Sequence, residues 1–337
     1  MPGSARARRG PRGQGGAVRV LVVGATGHIG SYLVPRLVGA GHEVVALSRG
    51  TREPYRAHPA WERVERVVAD RDAEDAAGTF GARVARLRPD AVVDLVCFTP
   101  ASARLLVEAL RPTGAFLAHC GTIWVHGPAA ASPLREDDPR APFGEYGTQK
   151  AAIEELLLAE TRSGGLRTTV LHPGHISGPG WPVITPLGNL DPQVWRRLST
   201  GEELLVPGLG LETLHHVHAD DVAQGFERAL ADPGAAAGES FHVVSDRALT
   251  VRGFAEAAAR WWGREADLRP VSWEEFRAAS GEHAEASWEH LSRSHSASTD
   301  KARRLLGYVP GHTSLEAART AVEAMGLLPD GRGTLSA

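Results

Sequence analysis

Cysteine is scarce in this chain: Cys97 and Cys120 are the two in 337 residues. Two thiols cannot build a disulfide framework, and such sparing use fits a reducing compartment, so a cytoplasmic protein is expected. An excess of one charge is also missing. Lys and Arg number 37 against 40 Asp and Glu, a formal net charge of -3. Without an overall basic footprint, no nucleic-acid partner is expected. No uninterrupted apolar run is long enough to span a bilayer, so no membrane partner is expected either. Tyrosine is rare, with four residues, which gives weight to any that falls in a motif. No repeat period is visible. Residues 1–17 carry Arg6, Arg8, Arg9 and Arg12 among Gly, Pro and Ala, without the apolar centre of a secretory signal. They read as a disordered tail. The remainder has the balance of an ordinary globular protein, 42% hydrophobic and 23% charged.

The most informative stretch is residues 18–30. A run of apolar and β-branched residues leads into Gly24, Gly27 and Gly30, and an apolar, helix-compatible segment follows. This pattern predicts a buried strand, a tight turn and the start of a helix. Gly24 permits the turn, Gly27 lets a pyrophosphate approach the backbone, and Gly30 lets helix and strand pack closely. Thr26, His28 and Ile29 complete the turn. The free N–H groups and positive dipole end of the helix would then meet the phosphates of a dinucleotide.

Strand-like runs at residues 43–47, 64–69, 91–96, 115–119 and 168–171 alternate with amphipathic segments at 73–87, 100–110 and 146–162. That rhythm predicts an α/β fold with a doubly wound parallel sheet of the Rossmann kind, and a ligand at the carboxyl ends of its strands. After residue 171 the rhythm breaks in a Pro- and Gly-rich stretch reaching residue 192. Residues 220–231 read as a helix and 240–244 as a strand returning to the sheet. Helices are expected at 250–262, 273–279 and 298–306, the last capped by Ser298 or Thr299. The expected organisation is a dinucleotide-binding domain at 18–172, to which 220–246 return, and a smaller C-terminal substrate lobe built from 173–219 and 247–330.

The second strand sets the cofactor. An acid at its end suits the ribose hydroxyl of NAD, whereas a small residue followed by Arg suits the 2′-phosphate of NADP. Here Ser48 and Arg49 occupy those places, with Arg52 and Arg56 close by. A guanidinium can bond a phosphate bidentately and a carboxylate would repel it, so NADP is preferred and NAD remains open. Arg49 could instead be a solvated loop residue. Asp70, after the third strand, could accept from the adenine amino group or cap the next helix.

Tyr146 and Lys150 stand four residues apart, on one face of a predicted helix. A free phenol, with a pKa near ~10, is a poor base. A neighbouring ammonium is expected to lower that value, so that Tyr146 can exchange a proton with a substrate oxygen while hydride moves to or from a nicotinamide. Thr122, just past a strand, can donate its hydroxyl to the developing oxyanion.

Together these three sites resemble the extended short-chain dehydrogenase/reductase superfamily, in its NAD-dependent epimerase/dehydratase group. Residues 24–30 are similar to its glycine loop, Tyr146 and Lys150 to its Tyr-x-x-x-Lys pair, and Thr122 to its catalytic Ser or Thr. Residues 176–180, 218–223 and 301–308 are similar to later landmarks. The resemblance implies that Tyr146 is the acid/base, that Lys150 also holds the nicotinamide ribose, and that Val96, Pro173 and His175 lie beside the cofactor. It implies a homodimer through the helix bearing Tyr146. Departures narrow the chemistry. Ile123 and Trp124 follow Thr122 where dehydratases carry Asp and Glu, which disfavours water loss. Leu214 stands where many sugar-nucleotide enzymes place an arginine for the diphosphate; Arg196, Arg197 or Arg293 could substitute.

His215, His216 and His218 precede Asp220 and Asp221. They could supply metal ligands, but the resemblance makes His218 and Asp221 a structural landmark, and no metal is expected. Trp124, His175 and Trp181 are candidate substrate contacts, while most of the other tryptophans are expected in the core. The reading is an NAD(P)-dependent oxidoreductase acting by hydride transfer at a secondary alcohol or ketone of a polar, hydroxylated small molecule. The alternatives are a sugar or sugar-nucleotide epimerase using transient oxidation, and a non-catalytic NADP-binding sensor or scaffold.

Overall fold

The computed structural model describes residues 17–329, so all but the last residue of the expected tail lies outside the described residues. Six strands follow in order: β1 (Arg19–Val23), β2 (Glu43–Ser48), β3 (Glu65–Val68), β4 (Ala91–Asp94), β5 (Phe116–Cys120) and β6 (Thr168–Pro173). The strand Ser240–Val243 joins the outer edge of β6, giving a seven-stranded sheet in the order Ser240–Val243, β6, β5, β4, β1, β2, β3. Every neighbouring pair is parallel. The order reverses between β1 and β4, which opens a crevice at their carboxyl ends.

Alternation along the strands fills two layers. Val20 and Val22 of β1 face one core cluster with Val44, Ala46, Val93 and Phe116. Leu21 and Val23 face the opposite cluster with Val45, Leu47, Val92 and Leu117. Helix α1 (His28–Gly39) buries Leu33, Val34, Leu37 and Val38 on the first face. Each buried side chain of this size contributes about 1.5–3 kcal/mol. Helices α2 (Arg71–Ala76), α3 (Phe80–Arg86), α4 (Pro100–Leu110) and α5 (Gly144–Arg162) follow. Phe80, Leu106, Ile153 and Leu157, from the last three, cover the second face. A third cluster, with Val183, Trp195, Leu214 and Phe254, is assembled from later residues. It includes Val194 and Leu198 of α6 (Pro192–Thr200), whereas α7 (Ala219–Ala231) packs on α1.

The single helix expected over 73–87 is two. Gly78 adopts φ +66°, a left-handed conformation that ends α2, and α3 starts at Phe80. The helix expected at 250–262 runs Val251–Ala259, with the Thr250 hydroxyl capping it, and tightens into a 3-10 turn. Thr299 stands at the N-cap of Asp300–Leu306 without a side-chain capping bond, while Ser298 Oγ accepts from the Asp300 N–H at 3.0 Å. The Pro- and Gly-rich stretch holds a short strand, His175–Ser177, paired in parallel with His216–His218. No helix among the described residues is long and apolar enough to cross a membrane.

Candidate active site

The crevice opens into a cavity of about 640 Å³ at the carboxyl ends of β1, β2, β4, β5 and β6. The glycine turn forms its floor. Gly24 has φ +84°, and a Cβ there would lie 2.7 Å from Val96 Cγ1. At Gly30 a Cβ would lie 2.2 Å from the Ala25 carbonyl oxygen, so only glycine lets α1 start against the turn. Gly27 is the N-cap of α1 and makes no side-chain capping bond, leaving the first-turn amides to a ligand. Thr26, His28 and Ile29 also line the cavity, as do Ser48, Arg49, Val96, Pro173 and His175. A bare helix N-terminus, a side-chain-free turn and an arginine at the β2 end fit the phosphates of NAD(P).

Thr122, Trp124, Tyr146 and Lys150 line the same cavity. Thr122 caps the 3-10 turn Ile123–His126, where its Oγ1 accepts from the Trp124 N–H at 3.3 Å. The hydroxyl therefore spends a lone pair locally and keeps its proton to donate. Trp124 meets Tyr146 edge-on with ring centroids 5.7 Å apart, and the Arg293 guanidinium covers the Trp124 ring at 3.8 Å. Trp124 thus supports the tyrosine ring.

The expected effect of Lys150 on Tyr146 is corrected by the structure. Lys150 is buried, and its Nζ donates to the carbonyls of Cys97 at 2.8 Å and Cys120 at 2.7 Å. It sits 5.9 Å from the centre of the Tyr146 ring. The Tyr146 side chain is 42% exposed, but the protein packed around its hydroxyl desolvates the phenol and raises it above its ordinary value, against the opposing Thr122 hydroxyl. Burial also lowers the Lys150 ammonium, which the nearby sulfur and carboxylate groups partly restore. Tyr146 is therefore held as the protonated phenol.

Asp70 is the predicted cofactor residue that the structure does not bring to the cavity wall. Its carboxylate caps α2, accepting from the Ala73 N–H at 3.1 Å. Asp72 and Arg71 line the wall instead, and sequence reasoning missed both. Their one visible signal was their position directly after Asp70. His28 stacks on Trp181 with centroids 5.3 Å apart and planes 7° apart, joining a predicted cofactor contact to a predicted substrate contact. Burial, and then His218, lower the His28 imidazole to about 4.

His175 is buried, and neither of its ring nitrogens has a partner among the described residues. Burial, followed by His290 and His216, holds it well below the usual imidazole range. The later histidines do not converge. His215 bonds the Ser245 carbonyl and the Ala297 N–H, His216 bonds Ser177 Oγ, and His218 Nδ1 accepts from the Asp220 N–H. Leu214 is buried in the third cluster. Of the arginines that could replace its missing cation, Arg196 pairs with Glu202 and Arg197 donates to the Glu203 carbonyl. Arg293 pairs with Glu289 and donates to the Phe143 carbonyl.

The family model of the NAD dependent epimerase/dehydratase family matches residues 20–243. The chain is 29% identical over 256 residues to 2'-dehydrokanamycin reductase of Streptomyces kanamyceticus, covering 76% of this chain and 69% of that protein. It is 28% identical over 327 residues to dTDP-6-deoxy-L-talose 4-dehydrogenase (NAD(P)(+)) of Kitasatospora kifunensis, covering 92% and 96%. In fold it is similar to UDP-glucose 4-epimerase of Thermotoga maritima, solved with UDP-glucose. That likeness has a TM-score of 0.69 at 21% identity and covers 91% of this chain and 98% of that one. The chain belongs to the NAD dependent epimerase/dehydratase family.

Proposed function

We propose that the chain is an NADP-preferring oxidoreductase that reduces a ketone of a polar, hydroxylated small molecule, of the sugar or aminoglycoside kind. One observation carries the reading: Thr122, Tyr146 and Lys150 face the cavity whose floor is the glycine turn. The bound nicotinamide supplies hydride to the substrate carbon. Thr122 donates its free proton to the substrate oxygen and orients it. Tyr146 delivers the proton that the reduced oxygen needs, and the protonated phenol is the form that reduction consumes. Lys150, its ammonium anchored on the Cys97 and Cys120 carbonyls, would hold the nicotinamide ribose. Ser48 and Arg49 receive the 2′-phosphate, and Trp124, His175 and Trp181 bound the substrate. On this reading residues 173–219 and 247–330 form the substrate side, and the protein acts in the cytoplasm as a homodimer through α5.

A sugar epimerase that oxidises and re-reduces one carbon is the second reading. Sequence likeness to UDP-glucose 4-epimerase of Azospirillum brasilense, 27% identical over 331 residues, favours it.

Titration with NADPH and NADH, followed by fluorescence of the cavity residues Trp124 and Trp181, tests the cofactor assignment. A charged hydrogen bond to the 2′-phosphate should make NADPH about tenfold tighter or more, and Arg49→Ala should erase the difference. Turnover is probed with 2′-dehydrokanamycin plus NADPH, and with dTDP-6-deoxy-L-talose plus NADP. Cofactor binding without turnover on either, or on a wider carbonyl panel, would favour a sensor or scaffold.

A further inference from the structure

Thr122 is not held by its own loop alone. Its backbone N–H donates to His172 Nδ1 at 3.0 Å, across from β6. An N–H can be accepted there only by a lone pair, so the ring proton lies on Nε2. Nε2 in turn stands 2.9 Å from Glu154 Oε1, which accepts that proton. Glu154 lies on α5, one turn beyond Lys150 and two beyond Tyr146. The imidazole therefore ties the Thr122 loop to the helix that carries the other two members of the site.

The tie is stiff. His172 has no exposed surface and Glu154 has 5%. A Cβ at Gly121 would come within 2.4 Å of His172 Nδ1, so the ring fits against bare backbone. Glu154 is fixed from its other side by two bonds from Arg140, at 2.8 and 3.0 Å. Arg140 also bonds His126, whose Nε2 meets His242 Nε2 at 2.9 Å. Burial alone would raise the Glu154 carboxyl, but His172 and Arg140 overrule it and hold it well below the usual range. The acceptor that orders the His172 ring thus remains a carboxylate.

We propose that His172, its tautomer set by Glu154, is the positioning residue that fixes Thr122 against Tyr146 and Lys150. The proposal rests on the oxidoreductase reading for its effect on turnover. His172 is not part of the cavity wall. Its loss should move the Thr122 hydroxyl off the substrate oxygen and lower kcat without weakening the cofactor. An ångström of misplacement suffices for a large loss of rate.

Two variants separate positioning from packing. In His172→Asn the amide oxygen falls near the place of Nδ1 and can still accept the Thr122 N–H. In His172→Gln the amide reaches toward Glu154 and leaves Thr122 without its acceptor. The expected result is that Gln lowers kcat about tenfold or more, with the KM for NADPH unchanged, and that Asn restores most of it. Equal losses in both variants, or no loss in either, would overturn the proposal. Nitrogen-15 NMR of the wild-type protein needs neither variant to fold. A through-bond coupling between the Thr122 amide nitrogen and His172 Nδ1 is expected, and a proton found on Nδ1 would overturn the proposal. Failure of the function reading is distinct: Tyr146→Phe would keep full turnover while the coupling persists.

Discussion

At the scale of single residues, the site divides its labour by what each polar atom already holds. Thr122 has given an acceptor to Trp124 and kept its proton, and Lys150 has given two protons to carbonyls. Tyr146 is left as the group with a proton to deliver. Tyr146→Phe should therefore lower kcat about 10²–10⁴-fold, measured as NADPH oxidation, with NADPH affinity unchanged. The raised phenol pKa sets the sign of the pH dependence. Tyr146 is protonated below its folded value, so reduction should stay flat through neutral pH and fall only as pH rises past about 10. Oxidation by the same enzyme should rise with pH over that range. A reduction limb falling already near neutrality would show that another group delivers the proton. That Gly24, Thr122, Tyr146 and Lys150 would meet at one cavity was legible, because each sits in a short motif at the end or along the face of one element. The direction of the Tyr146 shift was not, because it depends on the protein that the fold packs around the phenol hydroxyl.

At the scale of elements, α1 and the turn before it act as one piece. A methyl at Gly30 would meet three backbone atoms of Ala25 within 2.8 Å, and none of them belongs to a flexible side chain. Gly30→Ala should therefore cost about 1–3 kcal/mol or more, read as a lower melting temperature, and should also weaken NADPH. An unchanged melting temperature would show that helix and turn are not in contact. The strands of the sheet were legible because covering both faces forces near-continuous Val and Leu runs. The break between α2 and α3 was not, since Gly78 is a tolerable helix residue until its φ is known. The network around Glu154 was equally hidden. Its bonds join residues 18, 50 and 116 positions apart, which no local pattern records.

At the scale of the whole molecule, the many histidines are mostly buried and neutral. Burial lowers His215 to about 4 and His216 to about 3, and His28, His218 and His295 to about 4. In the unfolded chain each would take a proton below about 6.5. Protons then favour unfolding as pH falls from about 6.5 toward 4, by up to about 1.4 kcal/mol per pH unit for each such group. The melting temperature should drop steeply as pH falls across that window. His312 runs the other way: its bond to Asp221 raises it, and its contribution is lost as pH rises through that raised value. Replacing His216 by Phe should flatten the acid limb, checked by calorimetry at pH 5 and pH 7.

On the proposed function, a reductase binds NADPH and releases NADP at each turnover. The most direct test is the nucleotide content of freshly purified, denatured protein, read by chromatography and mass. Stoichiometric NAD should then be absent, with any retained nucleotide being NADP or NADPH. One NAD per chain would contradict it, point to an epimerase that regenerates its own cofactor, and remove the role assigned to Arg49.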